Sequence, residues 1–222
     1  KMLDVKDDQL VVESKGIYSI ENFLVARRLM YWQVYLHKTS VAYENMLVSA
    51  LLRAKELASK GVELFASPAL KFFLYNDINR ERFKSDPKCL ENFILLDDND
   101  IWTALKVWCN HNDIILATLS QGMVNREIFK VEVSPTPCTE ERLNAISERI
   151  AKQLHISKED TRYFISTPSI EKNMYNPADD SIDILYNDGS TTTIAEASNM
   201  LHLSVLSKKV KKYYICYLRE KK

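Results

Sequence analysis

Residues 13–57 read ESKGIYSIENFLVARRLMYWQVYLHKTSVAYENMLVSALLRAKEL, and positions 19–60 contain neither glycine nor proline, while Gly16 and Gly61 bracket them. So long a run between two breakers predicts one long helix or a kinked helix pair. Within it Ala42, Met46, Ala50 and Ala54 recur every fourth residue beside Val41, Leu47, Leu51 and Ala58. That periodicity draws an apolar stripe along one side of a helix and marks it as core.

Upstream, residues 3–5 and 9–13 are short apolar runs on either side of Lys6-Asp7-Asp8, a turn-prone link that predicts a small hairpin. The chain opens directly in this strand-like sequence without a methionine at position 1, from which it is expected to begin inside a larger protein. Downstream, residues 62–95 hold shorter pieces around Pro68 and Pro87. Asp97-Asp98-Asn99-Asp100 then precedes the periodic Ile101, Trp102, Leu105 and Trp108, acids suited to the positive end of a helix. Another helix is expected over 113–124.

After Arg126 the texture changes. Residues 128–133 alternate like a strand, Ser134-Pro135-Thr136-Pro137 is a stiff connector, and Thr139-Glu140-Glu141 opens a helix to about residue 154. Strand-like runs follow at 163–166, 181–186 and 191–194, the last two joined by the turn Asn187-Asp188-Gly189-Ser190. A short helix over 195–206 and a strand over 212–218 end the chain. The fold class is α+β: long helices followed by a small lobe with a mostly antiparallel sheet and one or two helices. The division falls near residue 126, with a hairpin plus helical region over 1–126 and a small α+β lobe over 127–222.

A 222-residue chain with 46% hydrophobic residues can bury a sizeable core. Thirty Lys plus Arg against thirty Asp plus Glu favours neither nucleic acid nor an anionic membrane, so any anion site must be local. Cys89, Cys109, Cys138 and Cys216 are scattered without a C-x-x-C pair or a signal-like start, which reads as reduced thiols in a cytoplasmic protein. Charges interrupt every apolar stretch short of the ~20 residues of a membrane span. Asp97, Asp98 and Asp100 could ligate Mg²⁺ or cap a helix, and Cys109-Asn110-His111 is at most half of a zinc site. The basic, tyrosine-interleaved stretch from Lys208 to Lys222 reads as a lysine-protected strand edge or a nucleic-acid face, the former favoured.

Arg27, Tyr31, Tyr35 and Lys38 follow one another at four, four and three residues, which on a helix places two cations and two aromatic hydroxyls on one face. Forked cations suit phosphate oxygens, and flat hydroxyl-bearing rings suit a sugar or base. The alternative is that Tyr31, Trp32 and Tyr35 pack on the core while Arg27 and Lys38 are solvated or in ordinary salt bridges. Burial of Arg27 and Tyr35 decides between the two.

Arg27, Tyr35, His37 and Lys38 in this spacing, followed by the apolar helix to Arg53-Ala54-Lys55, resemble the segment that follows the catalytic HD core in bacterial HD-superfamily phosphohydrolases. They are similar too to the vertebrate deoxynucleotide triphosphohydrolase with a sterile alpha motif. Weaker similarity continues from Asn92 through the second lobe, so that the resemblance covers nearly the whole chain.

The resemblance implies the carboxy-terminal part of a metal-dependent dNTP triphosphohydrolase, its residues 1–126 packed on the HD core. It places Arg27 on the substrate triphosphate, Tyr35 beside the deoxyribose where it disfavours a ribose, and Tyr31 with them, at a position where the vertebrate enzyme has histidine. Lys15, His37 and Lys38 match an allosteric nucleotide site between subunits, and Glu13 sits where the vertebrate enzyme has arginine. The implied partners are a dNTP substrate, a nucleotide effector and further copies in a homo-oligomer.

The family's divalent metal is held by an H…HD…D set. This sequence has no His-Asp dipeptide, its histidines being His37, His111, His155 and His202. All four ligands are therefore expected to be absent, no catalytic or metal residue is assigned, and the chain is expected to be inactive alone. Two other readings remain: part of an HD phosphohydrolase for another phosphate ester, or a non-catalytic oligomerisation or regulatory module.

Overall fold

Two adjacent aspartates turn the chain back at its start. Asp7 and Asp8 both hold left-handed backbone (φ 51° and 61°), the geometry of a two-residue hairpin turn, which aspartate tolerates better than most residues. In the computed structural model, which describes residues 2–172, 181–198 and 210–220, this turn joins β1 (Leu3–Lys6) to β2 (Gln9–Glu13) in antiparallel register from Leu3↔Val12 to Lys6↔Gln9. The protein is α+β, with mostly antiparallel sheets, and divides into two units: residues 1–40 with 169–213, and residues 41–168 with 214–222.

In the first unit β2 also pairs, in parallel, with β6 (Asp183–Leu185), which turns back antiparallel into β7 (Thr191–Thr193) to give the order β1-β2-β6-β7. The expected turn at 187–190 joins these two strands, with Gly189 at φ 83°. Leu24 of α1 (Ile17–Met30), with Ile194 and Ala197 of α9 (Ile194–Ala197), closes a core on Val12 and Ile184. Gly16 lets the helix start approach β2, since a Cβ there would lie 2.7 Å from Val12 Cγ1. Elsewhere in this unit β5 (Ser169–Lys172) pairs antiparallel with residues 210–213 of β8 (Val210–Tyr217).

The long glycine-free run is a kinked helix pair. Tyr31–Tyr35 form a π turn, closed by Leu36 N–H donating to the Tyr31 carbonyl at 2.8 Å, and the chain leaves the helix at Leu36 and His37 before α2 (Lys38–Ser59). The carbonyl of Val34, abandoned by the ladder, accepts from His37 N–H at 3.3 Å and Ser40 Oγ at 2.8 Å. This corrects the four-residue face: Lys38 opens the second helix, and only Arg27, Tyr31 and Tyr35 stay on the first helix and its π turn.

In the second unit Val41, Ala42, Met46, Ala50, Ala54, Leu57 and Ala58 form the buried stripe of α2. Pro68 and Pro87 sit in the first turns of α3 (Pro68–Tyr75) and α5 (Pro87–Leu95), behind the caps Ser67 and Asp86, with α4 (Arg80–Ser85) between them. Asp97 and Asp100 make a reciprocal capping box on α6 (Asp98–Trp108), and Asp113 caps α7 (Ile114–Val124). Then come β3 (Lys130–Ser134) and α8 (Glu140–Leu154), capped by Thr139, and β4 (Ile165–Ser166), with residues 214–217 of β8 between β3 and β4.

The strand expected over 163–166 is a second correction: Glu159–Tyr163 form a 3-10 turn, held by a buried Ser147–Thr161 hydroxyl pair at 2.7 Å, and only Ile165–Ser166 extend. Of the helix expected over 195–206, residues 194–197 are helical, and the rest from 199 lies outside the described residues, as do His202, Lys208, Lys209, Lys221 and Lys222. The change of texture near residue 126 falls between the end of α7 and the start of β3. Among the described residues no helix is long and apolar enough to cross a membrane.

One charged cluster lies inside the second unit. Arg53, with 11% of its side chain exposed, forks onto Asp113 (Nε–Oδ1 3.1 Å, Nη2–Oδ2 2.6 Å) and reaches Glu56 at 3.3 Å. Tyr163 donates its hydroxyl to Glu56 and lays its ring 5.4 Å from the Arg53 guanidinium carbon. Burial pushes the Asp113 carboxyl up, but hydrogen bonds from Arg53 and the Leu116 amide, with the Arg53 charge, hold it below its ordinary value. Glu56 is drawn from 4.5 down to about 2, first by the hydrogen bond from Lys60 and then by that from Tyr163.

Because the folded value of Glu56 is depressed, its stabilisation is complete above pH 4.5 and lost as the pH falls towards 2. Denaturant midpoints measured across that window should fall for the wild type and flatten in Glu56→Gln. Parallel slopes in the two proteins would show that Glu56 carries none of the acid sensitivity.

Candidate functional site

The last turn of α1 and the π turn after it place three of the sequence-assigned side chains in a row. Arg27 is half-buried, its guanidinium carbon 5.9 Å from the centroid of the Tyr31 ring, and the Tyr31 and Tyr35 centroids lie 5.2 Å apart at an interplanar angle of 40°. The π turn explains the tilt: one extra residue in the turn swings Tyr35 off the strict helical row without parting it from Tyr31. Tyr35 is 55% exposed, so this chain does not seal the row into its core. Among the described residues no carboxylate pairs with Arg27.

The other three assigned residues are not gathered in the same way. Lys15, in the 3-10 turn Ser14–Gly16, is exposed and ion-paired with Glu13. His37 is exposed, and its Nδ1 accepts the Thr39 backbone N–H at 3.3 Å, so it already serves the start of α2. Lys38 is the exposed first residue of that helix.

Two features of the same unit were not visible in the sequence. Lys212 Nζ stands 4.1 Å from the centroid of Trp32, a cation–π contact across 180 positions of sequence that no local signal announces. Glu21, only 2% exposed, accepts from Ser198 Oγ through one oxygen, and its other oxygen has no hydrogen-bond partner among the described residues. A charged residue amid Ile17, Ile20 and Leu24 is the one sign that could have pointed to it.

Among the described residues no three His, Cys, Asp or Glu side chains converge as a metal set. The donors among the described residues therefore make no set for the divalent metal implied by the resemblance. What the row can do is bind: a forked cation, steadied on an aromatic ring, beside an accessible phenol.

Residues 1–66 match the family described as the HD associated region. A solved phosphohydrolase from Bacteroides thetaiotaomicron superposes with a TM-score of 0.93 at 72% identity, over 99% of this chain and 54% of that one. A hypothetical protein from Aquifex aeolicus shares the fold alone, with a TM-score of 0.57 at 20% identity over 98% of this chain and 46% of its own. The uncharacterized protein YwfO of Bacillus subtilis is 28% identical over 136 residues, 61% of this chain and 29% of that protein. The chain thus spans about half or less of the length of each of these three proteins.

Proposed function

From a chain related to HD-type phosphohydrolases, we propose that it serves as the carboxy-terminal part of a dNTP triphosphohydrolase. In that reaction water adds at the α-phosphorus, the bond to the 5′ oxygen breaks, and the products are deoxynucleoside and triphosphate. Arg27 holds triphosphate oxygens, Tyr35 stands against the sugar, and Tyr31 supports both. The observation that carries the reading is the Arg27–Tyr31–Tyr35 row, a half-buried cation stacked on one ring with the second ring open to solvent. Catalytic metal chemistry belongs, in this reading, to the part of the longer protein that this chain does not span.

The test is a dNTP panel incubated with the full-length protein. Triphosphate and deoxynucleoside as paired products support the reading, whereas orthophosphate alone reassigns the protein to another phosphate ester. The 222-residue chain by itself should give no EDTA-sensitive cleavage, and robust turnover by it would overturn the division of labour.

Regulation is proposed at Lys15, His37 and Lys38, where a nucleotide effector bound at a subunit contact would favour the assembled form by mass action. The Lys15–Glu13 pair adds a step, since an effector phosphate must displace Glu13 from Lys15. In Lys38→Glu, sedimentation with and without dGTP should show nucleotide-dependent assembly reduced together with activation. Assembly identical to wild type would remove Lys38 from the regulatory site.

A further inference from the structure

At the carboxy-terminal ends of α7 and α8, wholly within the second unit, lies a cleft of about 680 Å³, a size typical of small-molecule sites. The apolar part of its lining that is open to a ligand is Ile128, Leu154 and Leu218, each half-buried, while Met46 and Phe129 lie beneath them, only 1% and 2% exposed. Its mouth carries Arg126, Arg219 and Asn125. Arg219 is oriented by its own Nε, which donates to the Ile128 carbonyl at 2.9 Å and leaves its terminal nitrogens to other acceptors. Among the described residues neither arginine has a carboxylate in ion-pair range.

Arg126 holds the less expected position. Bonds from Glu127 N–H to the Gly122 carbonyl (2.8 Å) and from Arg126 N–H to the Met123 carbonyl (3.3 Å) close α7 in a Schellman motif, which puts Arg126 in the left-handed region at φ 60°. Glycine is the usual occupant there, because a side chain in that conformation is strained. Strain kept at the mouth of a cleft is a pointer to use.

We infer that this cleft binds a small molecule with a flat apolar body and a single phosphate, such as a nucleoside monophosphate. The body lies on Ile128, Leu154 and Leu218, and the phosphate meets Arg126 and Arg219. Glu127 and Glu220 also line the cleft, Glu220 facing Arg149 at 3.6 Å, and this local balance of charge disfavours a polyphosphate. The inference is independent of the Arg27 row and of the triphosphohydrolase reading.

The experiment is calorimetric titration of the intact 222-residue chain with AMP, adenosine and inorganic phosphate, on wild type, Arg126→Gly and Arg126→Asn. AMP should bind one to one and more tightly than either fragment, and both variants should weaken it about tenfold or more, the effect of losing a charge-assisted contact. Arg126→Gly should at the same time raise the melting temperature by roughly 2–4 °C, because glycine relieves the strained backbone. Absence of AMP binding by the wild type overturns the proposal. So does binding unchanged in both variants, which would leave Arg126 as a helix cap. Phosphate binding as tightly as AMP would reduce the cleft to an anion site, and adenosine binding as tightly would reduce it to an apolar one; either result also overturns it.

Discussion

Arg53→Met is expected to lower the stability of the protein by about 1.5–3 kcal/mol, the usual cost of losing a hydrogen bond between charged groups, here in a part-buried pair. Methionine keeps the apolar stem, so the loss reports the charge and its fork rather than a cavity. The size of the effect follows from what remains: Asp113 has 14% of its side chain exposed and would be left charged with, among the described residues, the Leu116 amide as its one hydrogen-bond donor, and Glu56 would lose one of its three cations and keep Lys60 and Arg162. Asp113→Asn retains an oxygen to cap α7 while removing the charge, so Arg53→Met made in that background should be markedly less damaging. Denaturant unfolding of the two single variants and the double variant measures the coupling. A single-variant loss below about 1 kcal/mol, typical of an exposed pair, would place the cluster among surface ion pairs instead.

Arg27→Ala in the full-length protein should reduce kcat/KM by roughly 10- to 150-fold, the equivalent of about 1.5–3 kcal/mol for a hydrogen bond to a charged group. Folding should hardly change, because among the described residues the Arg27 guanidinium pairs with no carboxylate and rests against the Tyr31 ring at 5.9 Å. Arg27→Lys should recover only part of the loss, since a lysine keeps the charge but not the fork that grips two phosphate oxygens. Unchanged efficiency in the alanine variant, or a loss that tracks unfolding, would end the role of Arg27 as a phosphate clamp.

Much of the fold was legible because its signals are local. The stripe of Ala42, Met46, Ala50 and Ala54 is buried as periodicity required, and Asp97, Asp100 and Asp113 are caps. The interruption at 36–37 was less legible. No glycine or proline marks it, and it depends on backbone and hydroxyl hydrogen bonds converging on the Val34 carbonyl, which sequence periodicity does not register. For the candidate site, spacing brought Arg27, Tyr31 and Tyr35 together correctly as neighbours but could not say that Lys38 begins another helix.

The sequence by itself determined the α+β class, the hairpin at the start, the bounds of α7 and α8 and the candidate row, because caps, turns and apolar periodicity act within a few residues of each other. Only the tertiary structure decided that β6, expected in the second lobe, runs parallel to β2 and groups with the first forty residues, that Arg53 is neutralised by Asp113 sixty positions away, and that Tyr35 is left open to solvent. These depend on which distant groups exclude water from one another, and burial of that kind is a property of the packed chain rather than of any short stretch of it.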